Sequence, residues 1–356
     1  MKISPRQQKL VRLGVATSAV AGGMAVAGTA VGAALLARAI LGSRRCYEVH
    51  DKAVLITGGS RGLGLVLARE FARRGARVAV CARSAAELER AKSDLWSRGY
   101  QLITAVCDVT DRQQVQKTVE SITNQLGRID ILVNNAGTLA VGPVDTMTLQ
   151  DYEASMDVHF WAPLFTMLAV LPEMRRRREG RIVNISSIGG KISVPHLVPY
   201  SAGKFALAGL SEGLRAEVAK DNVFVTTVYP GLMRTGSPRN ADFKGKHRAE
   251  YAWFSLSDAL PVFSIGAERA AREIVNGCER GTARLVLSLP AKLAIKLHEL
   301  FPAVSMTALE TVQKLLPGPG GIGTERAKGR ESHSLVSRSW LTLLDERAAQ
   351  RNNQTA

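Results

Sequence analysis

Tyr200 and Lys204 stand four residues apart at the head of a stretch in which Leu207, Leu210 and Leu214 keep helical spacing. On a helix, positions i and i+4 share a face, so the phenol and the ammonium project together. Free tyrosine, with a pKa of about 10, is a poor proton donor or acceptor at neutral pH, and a neighbouring cation favours the phenolate. Such a pair suits the interconversion of a carbonyl and an alcohol, in which oxygen gains or loses a proton while carbon gains or loses a hydride. An apolar run, Arg181–Ile185, delivers Ser186 and Ser187 upstream of the tyrosine. Taken alone, a Tyr-x-x-x-Lys is also an ordinary exposed helix pair, so the chemistry requires a nucleotide site beside it.

The chain supplies one. Ala53–Thr57 is a short continuous apolar run, as a buried parallel strand needs, and it leads into Gly58-Gly59-Ser60-Arg61-Gly62-Leu63-Gly64. Leu65, Leu67, Ala68, Phe71 and Ala72 then continue a helical apolar face. A glycine-rich turn between strand and helix lets the backbone approach a pyrophosphate, held by the free N–H groups and dipole of the helix N-terminus. A second strand, Arg77–Ala82, ends at Arg83, with no carboxylate before Glu87. An acid at that strand end would hydrogen-bond a ribose 2′-hydroxyl; two arginines, Arg61 and Arg83, instead suit a 2′-phosphate and favour NADP(H) over NAD(H). Strands at Leu102–Val106 and Ile129–Val133 follow, with helices near 84–98 and 111–127 between them. The alternation predicts an α/β fold with a doubly wound parallel sheet of the Rossmann type.

Thr57-Gly58-x-x-x-Gly62-x-Gly64, Asp108, Asn134-Asn135-Ala136-Gly137 and Tyr200-x-x-x-Lys204 together resemble the short-chain dehydrogenase/reductase family over about residues 51–290. The resemblance implies an oxidoreductase in which Tyr200 is the acid/base, Lys204 lowers its pKa and binds the nicotinamide ribose, and Ser187 hydrogen-bonds the substrate oxygen. It also implies a cofactor site of Gly58, Ser60, Arg61, Gly62, Leu63, Gly64, Arg83, Asp108, Val109, Asn135, Ala136 and Gly137, completed by Tyr200, Lys204, Pro230, Gly231 and Thr235. Asp108 would hold the adenine amino group and Asn135–Gly137 the adenine ribose. One position departs: His159 stands where the family has an asparagine that holds a relay water. A histidine there either serves the relay with altered pH dependence or packs as a structural residue.

Around this domain the sequence sets two flanks. Residues 1–45 form an N-terminal flank in which Leu13 to Ala37 carry no charge, with basic residues on both sides. At about 1.5 Å per residue such a helix spans the roughly 30 Å hydrocarbon core, which predicts a single-pass anchor with the catalytic domain on the cytoplasmic side. A cleaved signal with Ala25-Val26-Ala27 as its site, giving a secreted enzyme, is the competing reading. Residues 291–356 form a helical extension, in which Leu293, Leu297, Leu300 and Phe301 make an apolar stripe, and a polar tail expected to be partly ordered at best.

Composition bounds the partners. With 46% apolar residues the 356-residue chain is globular, and the scatter of Cys46, Cys81, Cys107 and Cys278 offers neither a metal site nor a disulfide framework. The net charge of +16 invites a nucleic-acid reading, but no nucleic-acid module is present. The run Arg175–Arg178 with Arg181 reads as a solvated helix end. Tyr251, Trp253, Phe254 and Phe263, in the region where the family keeps its substrate-covering loop, suggest a lipophilic carbonyl or alcohol, or else pack on the chain's own core. A homo-oligomer is expected. The alternative of another class is a membrane-tethered nucleotide-binding or scaffold protein with this fold and little or no turnover.

Overall fold

The structure is a computed structural model and describes residues 47–259, 264–333 and 343–355. The segment 13–37, with its expected anchor, lies outside the described residues, as does Phe263. Residues from Tyr47 onward form one compact unit, with no separate body after residue 290.

The first half alternates strand and helix: β1 (Ala53–Thr57), α1 (Gly62–Arg73), β2 (Arg77–Ala82), α2 (Ala85–Trp96), β3 (Leu102–Val106), α3 (Arg112–Leu126) and β4 (Ile131–Asn134). After a short strand β5 (Ala140–Val141), α4 (Leu149–Met156) passes through a π-helical turn, Asp157–Trp161, into α5 (Ala162–Arg177). Then come β6 (Gly180–Ile185), α6 (Val198–Val218), β7 (Val223–Tyr229), β8 (Leu232–Arg234), β9 (Asp242–Phe243), α7 (His247–Ala259), β10 (Ser264–Gly266), α8 (Ala267–Glu279) and β11 (Arg284–Val286). The chain finishes with α9 (Leu289–Leu300), α10 (Pro302–Gln313), β12 (Ala327–Lys328) and α11 (Leu343–Arg351).

Seven strands make one parallel sheet in the order β11-β7-β6-β4-β1-β2-β3. Because alternate strand residues face opposite sides, β1 sends Val54 and Ile56 to one face and Ala53 and Leu55 to the other. On the first face Leu65, Leu67 and Phe71 of α1 pack with Ala270, Ile274 and Val275 of α8. On the second, Val115 and Ile122 of α3 pack with Met167, Val170 and Met174 of α5. Both faces are covered, which is why the strands read as unbroken apolar runs. Among the described residues the continuous helix Leu149–Arg177 is long and apolar enough to cross a membrane, yet its inner face is part of this core.

Two expectations need revising, and one left open is answered. The fourth strand starts at Ile131, not Ile129, because Asp130 turns its carboxylate back to accept from the Ala53 N–H at 2.9 Å and to pair with Arg177 at 2.8 Å. The apolar stripe of α9 faces outward: Leu293, Leu297, Leu300 and Phe301 are exposed, whereas Ala291 and Ile295 face the body. The inner face uses small or trim residues because α9 lies close to Gly231, where an added Cβ would stand 3.3 Å from the Ala291 Cβ. The described parts of the tail are docked on the domain. Strand β12 pairs antiparallel with β9, Arg326 bridges Asp151 at 2.8 Å, and residues 343–355 lie against the domain. The arginine run, in turn, is committed within the molecule: Arg175 pairs with Asp221, Arg176 with Glu173 and Arg177 with Asp130. Arg178 donates to Lys220 O, and buried Arg181 stacks on Tyr47 and Phe224.

Candidate active site

The carboxyl ends of β1, β4, β6 and β7 meet at one edge of the sheet. Gly58 opens the first turn with φ +63°, a region that disfavours side chains, and an added Cβ would stand 2.8 Å from the Ala136 Cα. At Gly64 an added Cβ would fall 2.2 Å from Gly58 O, so only glycine lets the helix start this close to the turn. Asn135 ties the two loops, donating through Nδ2 to Thr57 O at 3.1 Å and to Gly58 O at 3.0 Å. Thr57 Oγ1 accepts the N–H groups of Asn135 and Ala136. Asn135 is thereby spent on the protein, a positioning role. The N-cap residue of α1, Arg61, makes no side-chain cap for the first-turn N–H groups, and that of Gly62 meets Asn352 O at 2.8 Å. A dinucleotide's pyrophosphate fits such a cradle.

At the end of β2, Arg83 is exposed and has no ion-pair partner among the described residues. Arg61 differs from expectation: it pairs with Glu87 at 3.0 Å, and Ser60 Oγ donates to the same carboxylate at 2.9 Å. The acid four residues beyond Arg83 lies on the first turn of α2, and the helix folds it back onto the glycine loop. Asp108 accepts through Oδ1 from the Thr110 N–H and hydroxyl, while Val109 and Leu63 are buried apolar supports. Pro230 O accepts the Ile188 N–H at 2.7 Å, fixing the segment after β7 to the one after β6, and Thr235 is buried beside it.

The chemical centre forms where β6 ends. The two serines diverge: Ser186 Oγ donates to Lys204 O and locks α6 to the strand, and Ser187 faces the tyrosine. Ser187 Oγ accepts the Gly189 N–H at 3.0 Å, and both it and the edge of the Tyr200 ring lie beside Gly189. Burial raises the Tyr200 pKa, and the hydroxyl of Ser187 opposes that rise. Lys204, one turn along α6, is buried, its Nζ 5.6 Å from the Tyr200 ring centre and donating to Ile185 O at 2.9 Å. Burial lowers its pKa to about 7, because nothing opposite in charge faces it.

His159 lies in the π-helical turn and packs edge-on against Tyr200, ring centres 5.2 Å apart. Its Nε2 accepts the Thr138 N–H at 3.3 Å, which leaves the proton on Nδ1 to reach Ser155 Oγ at 3.1 Å; that hydroxyl donates onward to Pro199 O at 2.7 Å. Both nitrogens are thus engaged with the protein. Gly203 permits the crossing, since an added Cβ would lie 2.8 Å from Ser155 Oγ. A cavity of about 20 Å³, room for one water, lies between Thr138, Ser155, Pro199 and Tyr200. Burial and Lys204 push the His159 pKa well below its usual value. The unfolded chain then takes up a proton that the folded ring refuses, so stability held above about pH 6.5 is lost as pH falls. His159→Asn is expected to make Tm less steep between about pH 6.5 and 5 than wild type, measured by calorimetry at matched ionic strength. Equal slopes would refute a buried neutral His159.

One feature escaped the sequence. Asn134, Thr166, Asn184, Ser211 and Thr227 form a buried polar chain below the site, with Asn134 Nδ2 donating to Asn184 Oδ1 at 2.9 Å and Asn184 Nδ2 to Ser211 Oγ at 3.0 Å. The polar residues inside β4 and β6 were its only sequence signal. On the substrate side Tyr251 and Phe254 are buried with Phe243, so these aromatics serve the core, and Trp253 donates to Glu250 at 2.7 Å.

Comparisons with known proteins agree with this geometry. Residues 52–244 match the short chain dehydrogenase family. A dehydrogenase/reductase SDR family protein 7-like from Anopheles gambiae is 39% identical over 267 residues, covering 73% of this chain and 83% of that protein. The crystal structure of a short-chain dehydrogenase from Streptomyces avermitilis superposes with a TM-score of 0.64 at 30% identity, over 74% of this chain and 97% of that one. A gluconate 5-dehydrogenase from Burkholderia cenocepacia, solved in complex with NADP and tartrate, gives a TM-score of 0.60 at 27% identity, over 69% and 97% of the two chains. With the glycine turn, the Ser187–Tyr200 contact and Lys204 in place, the chain belongs to the short-chain dehydrogenase/reductase family of oxidoreductases.

Proposed function

We propose that the protein is an NADP(H)-dependent oxidoreductase that interconverts a lipophilic carbonyl compound and its alcohol. The observation carrying this is the placement of Ser187 and Tyr200 together around Gly189 at the carboxyl edge of the sheet, with Lys204 on the helical face of the tyrosine. The glycine turn, Asp108 and the segment Pro230–Thr235 would hold the dinucleotide, which supplies the two-electron reducing equivalent when bound. Ser187 Oγ orients the substrate oxygen, and Tyr200 gives that oxygen its proton. A phenol held protonated by burial favours reduction of the carbonyl at neutral pH. Half-buried Leu139, Val194 and Trp253 beside Tyr200 support a lipophilic substrate. Exposed Arg83 supports NADP(H), and the NADP complex of the Burkholderia relative lies in the same family. The uncharged segment 13–37 supports membrane attachment, with the catalytic domain on the cytoplasmic side. Trp161, Leu168 and Phe205, exposed on or beside α5 and α6, support a homo-oligomer.

A panel of lipophilic ketones and aldehydes, assayed with NADPH and NADH on protein lacking residues 1–45, tests this reading. Turnover with NADPH well above NADH is expected, and Arg83→Ala should narrow that preference about tenfold, the worth of one charge-assisted hydrogen bond. Activity with NADH alone would overturn the NADP(H) reading, and no turnover on any member would favour the non-catalytic alternative.

A further inference from the structure

We propose that residues 343–355 are an autoinhibitory strap that occupies the dinucleotide cleft and must leave before the cofactor binds. The inference rests on the nucleotide reading of the glycine loop given above. Gly62 N–H, in the first turn of α1, is one of the donors that a pyrophosphate would take, and it donates to Asn352 O at 2.8 Å. Asn353 Nδ2 crosses from the glycine loop to α2, donating to Ser60 O at 2.8 Å and to Glu87 O at 3.2 Å, and Arg90 Nε donates to its Oδ1 at 2.7 Å. The Gln354 side chain stands 2.6 Å from where a Gly62 Cβ would be, and Asn240 Nδ2 donates to its Oε1 at 2.6 Å. Further back, Ala349 closes on Gly236, just after Thr235, where an added Cβ would lie 2.3 Å from its Cα. The segment therefore runs from the side expected to take the nicotinamide to the side expected to take the adenosine phosphate.

The hold is specific yet releasable. Ala348, Ala349 and Asn352 are buried, and Arg69 donates to Asn352 Oδ1 and Arg351 O. Among the side chains described, from residue 346 on, the buried apolar content is small, however, and Asn352 Nδ2 is buried without a partner among the described residues. A ligand competing for the same N–H sees only the fraction of molecules with the strap released, so apparent affinity falls by that fraction.

The test compares three proteins: the full chain, the full chain carrying Asn353→Ala and Gln354→Ala, and a chain ending at residue 342. NADPH affinity is read from cofactor fluorescence, and hydrogen exchange is followed over residues 343–355. Both altered proteins should bind NADPH about tenfold more tightly, as a strap docked in roughly nine molecules of ten requires. NADPH should increase exchange over 343–355 in the full chain. A synthetic 343–356 peptide should weaken NADPH binding to the shortened protein. Equal affinities with protection kept under saturating NADPH would overturn the strap, as would weaker binding in the variants, which would make the segment part of the cofactor site. If no protein binds NADPH or NADH while 343–355 stays protected, the nucleotide reading falls, and the strap with it. Should the shortened chain not fold, the doubly substituted full chain still decides.

Discussion

Tyr200→Phe is expected to lower kcat about 10²–10⁴-fold, the usual worth of a positioned proton donor, while leaving Tm and NADPH affinity near wild type. The ring is retained, so the edge-on packing against His159 and the contacts with the Val141–Phe243 cluster survive. Only the oxygen is lost, and with it the group whose pKa burial raises and Ser187 lowers. Ser187→Ala should cost less, because the phenol keeps its proton to give; its effect should grow in the alcohol-oxidising direction, where the hydroxyl helps hold the phenolate. Steady-state kinetics in both directions, with calorimetry on the same preparations, check both variants. Wild-type turnover in Tyr200→Phe with every accepted substrate would remove the tyrosine from the mechanism.

Lys204→Met is expected to stabilise the cofactor-free protein at pH 7 and below while reducing turnover by about two orders of magnitude, as loss of a charged group at an acid/base site does. Burial takes the ammonium from its ordinary 10.5 down to about 7. Below pH 7 the folded protein bears the cost of a buried charge, a matter of a few kcal/mol at about 1.4 kcal/mol for each tenfold loss of proton affinity. Between about 7 and 10.5 the unfolded chain holds this proton and the folded chain does not, so wild-type stability rises with pH across that window. Methionine removes the titration and keeps the volume, at the expense of the hydrogen bond to Ile185 O. The Tm difference between variant and wild type should thus be largest near pH 6 and shrink steadily toward pH 10. A difference independent of pH would show that Lys204 is charged in the cofactor-free fold.

Sequence and structure agree most closely where a pattern repeats. β1, β2 and β3 fall on their expected residues, and for β1 the reason is that an unbroken apolar run ending at a glycine turn has one solution in the middle of a sheet covered on both faces. The pairing of Ser187 rather than Ser186 with Tyr200 follows from alternation at the end of β6. What was not legible depends on which partner a side chain finds at long range. Glu87 is four residues from Arg83 in sequence, yet it reaches Arg61 because α2 turns its first residues over the glycine loop. Lys204 reads as an ammonium from its residue type, and only its burial against Ile185 makes it a weak one. The tail, polar and broken by Pro317-Gly318-Pro319, carries no periodic signal for docking, since its contacts are individual ion pairs and hydrogen bonds to distant residues.

The distance along the chain between Ser60 and Asn353, 293 residues, has a consequence for how the protein is made. Synthesis is vectorial, and domains begin to form from the N-terminal side while the ribosome is still adding residues. The glycine loop and α1 emerge long before α11, and a contact closing so long a loop forms late and opens early. With the strap as proposed, a nascent chain would present the nucleotide cradle with no strap in it, and a dinucleotide would reach the cradle first. The cleft would begin open to cofactor, and the internal competitor would arrive only afterwards.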